Sequence, residues 1–264
     1  ARFLDPFCRA QIGYRLLNEP LSLLPEILVV PVTDNHIRAI ADSWDFFTDV
    51  EVFRFGVPHV KAEHGLRYYL EGLRLLKERL ERLTGVTMTD SALAGEIEAA
   101  NRIRSLLAEI SRLRRADCPP ISGRDFIELT HRSLLTDRRV MPDILRSLLD
   151  ALKKAAPSGP AGPRILLAGS TMALGDSKVV DLLEEAGASI VVEEFSEGLR
   201  NCRLETAMGK DPLKALADAC FTRRVPDAFF RGAAQERAEC LLKRIRKYRV
   251  DGVVWYTLMY RDSY

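Results

Sequence analysis

A chain of 264 residues with 47% hydrophobic side chains has enough apolar material for one large or two ordinary packed domains. Its 39 basic and 37 acidic residues leave a formal net charge of +2, which gives no electrostatic case for a nucleic-acid partner. No apolar run approaches the roughly 18 residues of a membrane span and no signal-peptide pattern opens the sequence, so a cytoplasmic protein is expected. Two local basic clusters, Arg112, Arg114, Arg115 and Arg244, Arg246, Lys247, Arg249, read as solvated helix faces. Cys8, Cys118, Cys202, Cys220 and Cys240 are odd in number and widely spaced, which argues against a disulfide framework and a zinc ribbon.

In chain order, Cys8 stands just ahead of a short helix, Leu23 to Val32 reads as a buried strand, and Asn35 to Phe47 as a helix capped near Asp34. Val50 to Phe55 is a second strand. From His59 the period changes: Tyr68, Tyr69, Leu73, Leu76, Leu80 and Leu83 recur at helical spacing until Gly85. Thr89 and Asp90 cap a further helix that ends before Cys118-Pro119-Pro120. Ser122 begins a third, about 122–135, and Met141 to Ala155 form a fourth. Pro157-Ser158-Gly159-Pro160-Ala161-Gly162-Pro163 bars helix and reads as a linker.

Beyond the linker the pattern becomes strand, tight turn, helix, strand. Ile165 to Leu167 is too short an apolar run for a helix, and Gly169-Ser170 supplies a turn where the backbone can come close to a ligand. Asp176 or Ser177 caps the next helix, Gly187 ends it, and Ile190 to Val192 is a second buried strand. This is a βαβ unit of a parallel sheet, whose ligands sit at the carboxyl ends of the strands. Helices near Asp211 to Ala219 and Gln235 to Tyr248 precede a last strand, Gly252 to Thr257.

The fold class is thus α/β, with two flavodoxin- or Rossmann-like parallel-sheet units and a helical insert between them. The expected division is an N-terminal α/β unit over 1–58, a helical region over 59–156, the linker 157–163 and a C-terminal α/β unit over 164–264. Both α/β units read as incomplete, as though part of a longer protein.

Candidate chemistry is sparse. Cys8 is either a small core residue or a thiolate ligand whose partners come from strand ends, since no CxxC is present. The polar loops Thr33-Asp34-Asn35-His36 and Tyr260-Arg261-Asp262-Ser263 offer no cysteine. His36, His59, His64 and His131 are scattered and read as surface or capping residues. Glu193-Glu194 stands where an acidic residue holds a ribose in dinucleotide folds, although no G-x-G-x-x-G is present. Arg200 either receives a phosphate or carboxylate or closes an intramolecular salt bridge.

Several segments, in order along most of the chain, resemble one subunit of the 2-hydroxyacyl-CoA dehydratase and benzoyl-CoA reductase family. The first are Phe7-Cys8-Arg9-Ala10-Gln11-Ile12-Gly13, Val29-Val30-Pro31-Val32-Thr33-Asp34 with His36 and Arg38, and Tyr68-Tyr69 to Leu83-Thr84-Gly85. They continue with Ala116-Asp117-Cys118-Pro119-Pro120-Ile121-Ser122-Gly123 and Ile165-Leu166-Leu167-Ala168-Gly169-Ser170. Glu184-Glu185-Ala186-Gly187-Ala188, Gly198-Leu199-Arg200 and Val250-Asp251-Gly252-Val253-Val254 complete the series.

The resemblance implies two flavodoxin-like domains with a helical portion, a related partner subunit, and a [4Fe-4S] cluster held by cysteines between the domains. It also implies an ATP-hydrolysing iron–sulfur activator and an acyl-CoA substrate reduced by one electron at its thioester carbonyl, giving a ketyl radical. Gly169, Ser170 and Arg200 would line the acyl-CoA cleft. Cys8 matches a cluster cysteine, but the other expected cysteine positions hold Thr33 or Asp34 and Arg261. One thiolate cannot hold a cubane, so the chain by itself is expected to bind no stable cluster, with Cys202 the only plausible substitute ligand. The alternatives to a catalytic dehydratase or reductase subunit are a cluster-free paralogue serving as partner or scaffold, and a small-molecule-binding α/β protein.

Overall fold

The computed structural model describes residues 4–156, 162–169, 171–196, 198–202 and 205–260. Its elements are α1 (Pro6–Leu16), β1 (Ile27–Val32), α2 (Asn35–Phe47), β2 (Glu51–Gly56), α3 (Glu63–Thr84), α4 (Asp90–Leu113), α5 (Gly123–Leu135) and α6 (Met141–Lys154). There follow β3 (Arg164–Gly169), α7 (Lys178–Glu185), β4 (Ser189–Glu194), α8 (Leu199–Cys202), α9 (Pro212–Ala217), α10 (Ala233–Tyr248) and β5 (Gly252–Tyr256). Their contacts form two compact units, one from Ala1–Asp90, Leu213–Ala233 and Leu258–Tyr264, the other from Ser91–Pro212 and Ala234–Thr257.

In the first unit β1 and β2 pair in parallel, Ile27 opposite Glu51 through Val32 opposite Gly56. The strand expected from Leu23 starts only at Ile27. Pro20 opens a 3₁₀ turn over Pro20–Leu23, and the Glu19 carboxylate accepts the amides of Leu21 and Ser22, so this stretch is satisfied without a neighbouring strand. Helices α1 and α2 bury Cys8, Ile40 and Trp44 against Phe7, Leu28, Ile37, Val50 and Val52. Helix α3 ends at Gly85, whose φ of 69° is the left-handed cap that glycine adopts without strain. It meets β2 through an edge-to-face pair of Phe55 and Tyr69 at 4.9 Å. Tyr69 in turn stacks on Phe221 at 5.3 Å, where α9 runs into a π-helical turn over Asp218–Arg223. The single helix expected near Asp211 to Ala219 is therefore shorter and ends in this wider turn.

The second unit holds the parallel sheet β4-β3-β5, with β3 in the centre. Alternation along β3, with a register irregularity in its pairing with β4 that leaves Val191 and Val192 in the same layer, sorts the core into two layers. Leu167 and Ile190 face Ile127 of α5 and Val180 of α7, together with Met172 and Phe195. Leu166, Ala168, Val191 and Val192 lie with Tyr248, Leu241 and Ile245 of α10. A third core joins α4, α5 and α6 through Ile103, Leu107, Ile110, Phe126, Leu145 and Leu149, and takes in Leu199 of α8.

Arg164, at the start of β3, ties this unit together. Its guanidinium donates to the carbonyls of Arg114 and Ala116 past the end of α4 and to those of Tyr248 and Arg249 at the end of α10.

The helical region 59–156 is shared: α3 packs on β2 in the first unit, while α4 to α6 belong to the second. The elements on either side of residues 157–163, α6 and β3, both belong to the second unit. Of that segment 157–161 lie outside the described residues, and the Pro163 carbonyl accepts the Ser189 N–H at 2.9 Å.

Candidate functional site

The strand order of the second sheet reverses at β3, so the carboxyl end of that strand is where a ligand of an open parallel sheet is expected. Gly169 ends β3 there. Its φ is not positive; its constraint is packing, since a Cβ would overlap the Tyr256 carbonyl of β5 and come within 2.7 Å of the Phe195 ring. Its value lies in close strand approach within the sheet, not in the turn. Ser170, the other residue of the expected turn, lies outside the described residues. Beyond it the Tyr256 hydroxyl donates to Asp176 at 2.6 Å and so joins the end of β5 to the β3–α7 loop. Burial, reinforced by this carboxylate, pushes the Tyr256 phenol up to about 12.

At the end of β4 the sequence pair Glu193-Glu194 anchors a buried charge network. Arg114, just past α4, donates to Glu193 at 2.7 Å with both side chains fully buried, and its second amino group reaches the Ser111 hydroxyl at 3.1 Å. Ser111 meets the Tyr248 hydroxyl at 2.8 Å, and the Arg114 guanidinium lies over the Phe126 ring at 3.7 Å. Arg200 of α8 donates to Glu194 at 2.9 Å, and Arg244 of α10 pairs with the other oxygen of the same carboxylate. Burial pushes the Arg244 guanidinium down to about 10, against the pull of Glu193 and Tyr248. Three arginines thus surround two glutamates, a surplus of one positive charge inside the unit.

This arrangement settles three readings. Arg200 is 3% exposed and takes the intramolecular salt bridge. Glu193 and Glu194 are committed to arginines and do not stand open to a ribose. Arg114 and Arg244, read from their clusters as solvated, are buried at 0% and 1% exposure. The signal was present in the periodicity: Arg114 continues the apolar stripe Ile103, Leu107, Ile110, and Arg244 lies beside Leu241, Ile245 and Tyr248. An arginine on such a stripe needs a buried acid, and Glu193-Glu194 supplies two.

In the first unit the polar groups at the end of β1 hold helix termini. Cys8 is not ahead of a helix but inside α1, with Asp5 as N-cap accepting the Cys8 N–H at 2.9 Å. The Cys8 side chain is completely buried beside Ile40 and Trp44. Asp34 caps α2, accepting the amides of His36 and Ile37 at 2.8 and 3.0 Å, and takes the Thr33 hydroxyl at 3.2 Å. His36 Nδ1 accepts the Asp5 N–H at 3.2 Å, while the exposed Arg38 pairs with Asp42. Cys118, in the turn after α4, Cys220, in the π-helical turn, and Cys240, on α10, are not joined in disulfides. Arg261 and the Cys202 side chain lie outside what is described.

With this geometry in place, the chain can be set beside known proteins. The family model of the 2-hydroxyglutaryl-CoA dehydratase D-component matches residues 1–264. The chain belongs to that family. It is 24% identical over 231 residues to a benzoyl-CoA reductase subunit of Thauera aromatica, covering 86% of this chain and 60% of that protein. With the (R)-phenyllactyl-CoA dehydratase beta subunit of Clostridium sporogenes it shares 21% identity over 249 residues, 93% of this chain and 65% of the relative. The putative dehydratase subunit YjiM of Escherichia coli K12 is 29% identical over 265 residues, 96% of this chain and 66% of its own. The chain therefore spans about two thirds or less of the length of these relatives. The family resemblance read from the ordered segments is thereby shown. No helix among the described residues is long and apolar enough to cross a membrane.

Proposed function

We propose that this chain is a subunit of a 2-hydroxyacyl-CoA dehydratase or benzoyl-CoA reductase-like assembly that acts on an acyl-CoA thioester by one-electron, ketyl radical chemistry. The observation that carries this reading is the family match along the whole chain, with its sequence motifs in order. Each of its two α/β units is read as flavodoxin-like, on the strength of parallel strands joined by helices. A related subunit is its partner and an ATP-dependent iron–sulfur activator its source of electrons. Leu17, Leu24, Phe46 and Phe47 of the first unit, between 57% and 81% exposed, are side chains that a subunit contact would cover.

The [4Fe-4S] cluster of the family does not fit the residues of this chain as they are placed. Cys8 is packed in an apolar core, Asp34 is used by the α2 terminus, and no group of three or more His, Cys, Asp or Glu among the described residues could hold a metal. These placements favour the second reading within the same family, a subunit that contributes structure and surface beside a cluster-bearing partner. The radical chemistry then belongs to the assembly and not to side chains of this chain.

Two measurements test the proposal. Co-expression with a related subunit should yield a stable complex, and its absence removes the assembly. Iron and sulfide analysis after anaerobic reconstitution of this chain alone should find no stoichiometric cluster. About four irons per chain, lost on Cys8→Ala, would overturn the cluster-free reading and make Cys8 a ligand.

A further inference from the structure

Helices α1 and α2 run side by side in the same direction. Their first turns meet where His36 Nδ1 accepts the Asp5 N–H at 3.2 Å, and their last turns where the Arg15 guanidinium lies 5.8 Å from the centre of the Trp44 ring. Leu16 and Leu17 at the end of α1 therefore come out beside Phe46 and Phe47 at the end of α2. The Tyr14 carbonyl accepts the Glu19 N–H at 2.9 Å and the Ser22 hydroxyl at 3.0 Å, which folds the Pro20–Leu23 turn back onto the same end and brings Leu21 and Leu24 to it.

These six side chains are between 54% and 81% exposed, and the two phenylalanines meet edge to face at 4.8 Å. Together they present roughly 800 Å² of apolar surface, the share that one partner contributes to a stable interface of standard size. A patch of this size on one face marks a contact with another molecule. It lies at the amino ends of β1 and β2, so covering it leaves the carboxyl ends of the strands open.

The charges at the same end say what covers it. The Arg15 guanidinium has no carboxylate partner among the described residues, and its Nε is buried without an acceptor. Glu26 and Asp49, each exposed just before β1 and β2, have no basic partner among the described residues. The neighbouring carboxylates are already used, Asp45 by Arg54 and Glu19 by the amides of Leu21 and Ser22. One end of the unit thus offers an unpaired cation and two unpaired carboxylates around a bare apolar surface. A two-fold axis brings the same patch of two copies face to face, so that Arg15 of each can meet the carboxylates of the other.

We propose that this end of the first unit is a self-complementary surface through which two copies of this chain form a dimer. The subunit contact named above thereby gains a definite occupant at this face, and a related subunit binds elsewhere. The dimer needs only this chain and does not depend on the acyl-CoA reading.

Light scattering after size exclusion, with sedimentation velocity, tests it on the full chain at micromolar concentration. The chain should run at twice its own mass. Leu17→Asp with Phe46→Asp, at positions each 81% exposed that accept a carboxylate without disturbing the fold, should give a monomer with an unchanged circular dichroism spectrum. Arg15→Glu, and separately Glu26→Arg with Asp49→Arg, should each weaken self-association about tenfold, whereas the two variants mixed should pair as tightly as the parent chain. Such a rescue requires the charges to meet across the contact. A monomeric parent chain, a dimer that survives Leu17→Asp with Phe46→Asp, or no gain on mixing would each overturn the proposal. So would a monomer that pairs through this face only with a co-expressed related subunit, an outcome that keeps the assembly reading and removes the second copy.

Discussion

Where β1 ends, in the first unit, the polar side chains are short and are used on helix termini: Asp5 caps α1, Asp34 caps α2, and the thiol between them is packed with Ile40 and Trp44. Where β4 ends, in the second unit, two carboxylates and three guanidinium groups are enclosed together away from solvent. Both are carboxyl ends of parallel strands in one chain, and neither leaves its charges open. The first region costs little to remodel at Asp34, which is half-buried, so that water can take over the amides it releases. The second is held by pairs whose removal leaves a full charge in a low-dielectric interior.

The sharpest way to break this contrast is Glu193→Ala, which strands the buried Arg114. It should cost about 3–5 kcal/mol, read as a fall in the urea midpoint with an unchanged slope, while Arg114→Met combined with Glu193→Leu should recover most of the loss. If the single and double variants are equally unstable, the pair is not what makes this region rigid. Gly169→Val comes next, at about 1–3 kcal/mol, because the new side chain overlaps the β5 backbone and Phe195. An unaltered melting temperature would show that β5 can move away.

In the first unit Cys8→Ser should cost about 1–3 kcal/mol by placing a hydroxyl in an apolar pocket. Asp34→Ala should cost only about 1 kcal/mol as a lost cap. Reversal of that order in thermal unfolding would mean that the α2 terminus, not the thiol, organises the unit.

The smallest effect is a titration. The Tyr256 phenol has its ordinary value of 10 raised to about 12 by burial and by Asp176, so the folded chain favours the protonated form. Its contribution to stability is complete below pH 10 and is lost as the pH rises through about 12. The phenolate absorbance that disappears in Tyr256→Phe should develop near that upper value; development near 10 would show that the Asp176 contact does not persist in solution.

The sequence by itself determined the elements that carry strong local signals. Apolar runs flanked by turn residues placed β3, β4 and β5 to within about two residues, and Gly85 and Ser122 marked helix ends because capping is a local hydrogen-bond matter. The ordered motifs were enough for the family. Local pattern misjudged Leu23 to Leu24, where Pro20 and Glu19 satisfy the backbone as a turn, and it placed Cys8 outside a helix that Asp5 and Pro6 in fact begin.

Only the tertiary structure decided which buried charges meet. Arg114 and Glu193 are 79 positions apart, and nothing in either neighbourhood names the other. It also divided the helical region, since a helix period tells which face is apolar but not which sheet that face will meet. The role of Gly169 and the burial of His131 were hidden for the same reason: each depends on atoms brought close by strands and helices distant in sequence, through packing that no short window of residues contains.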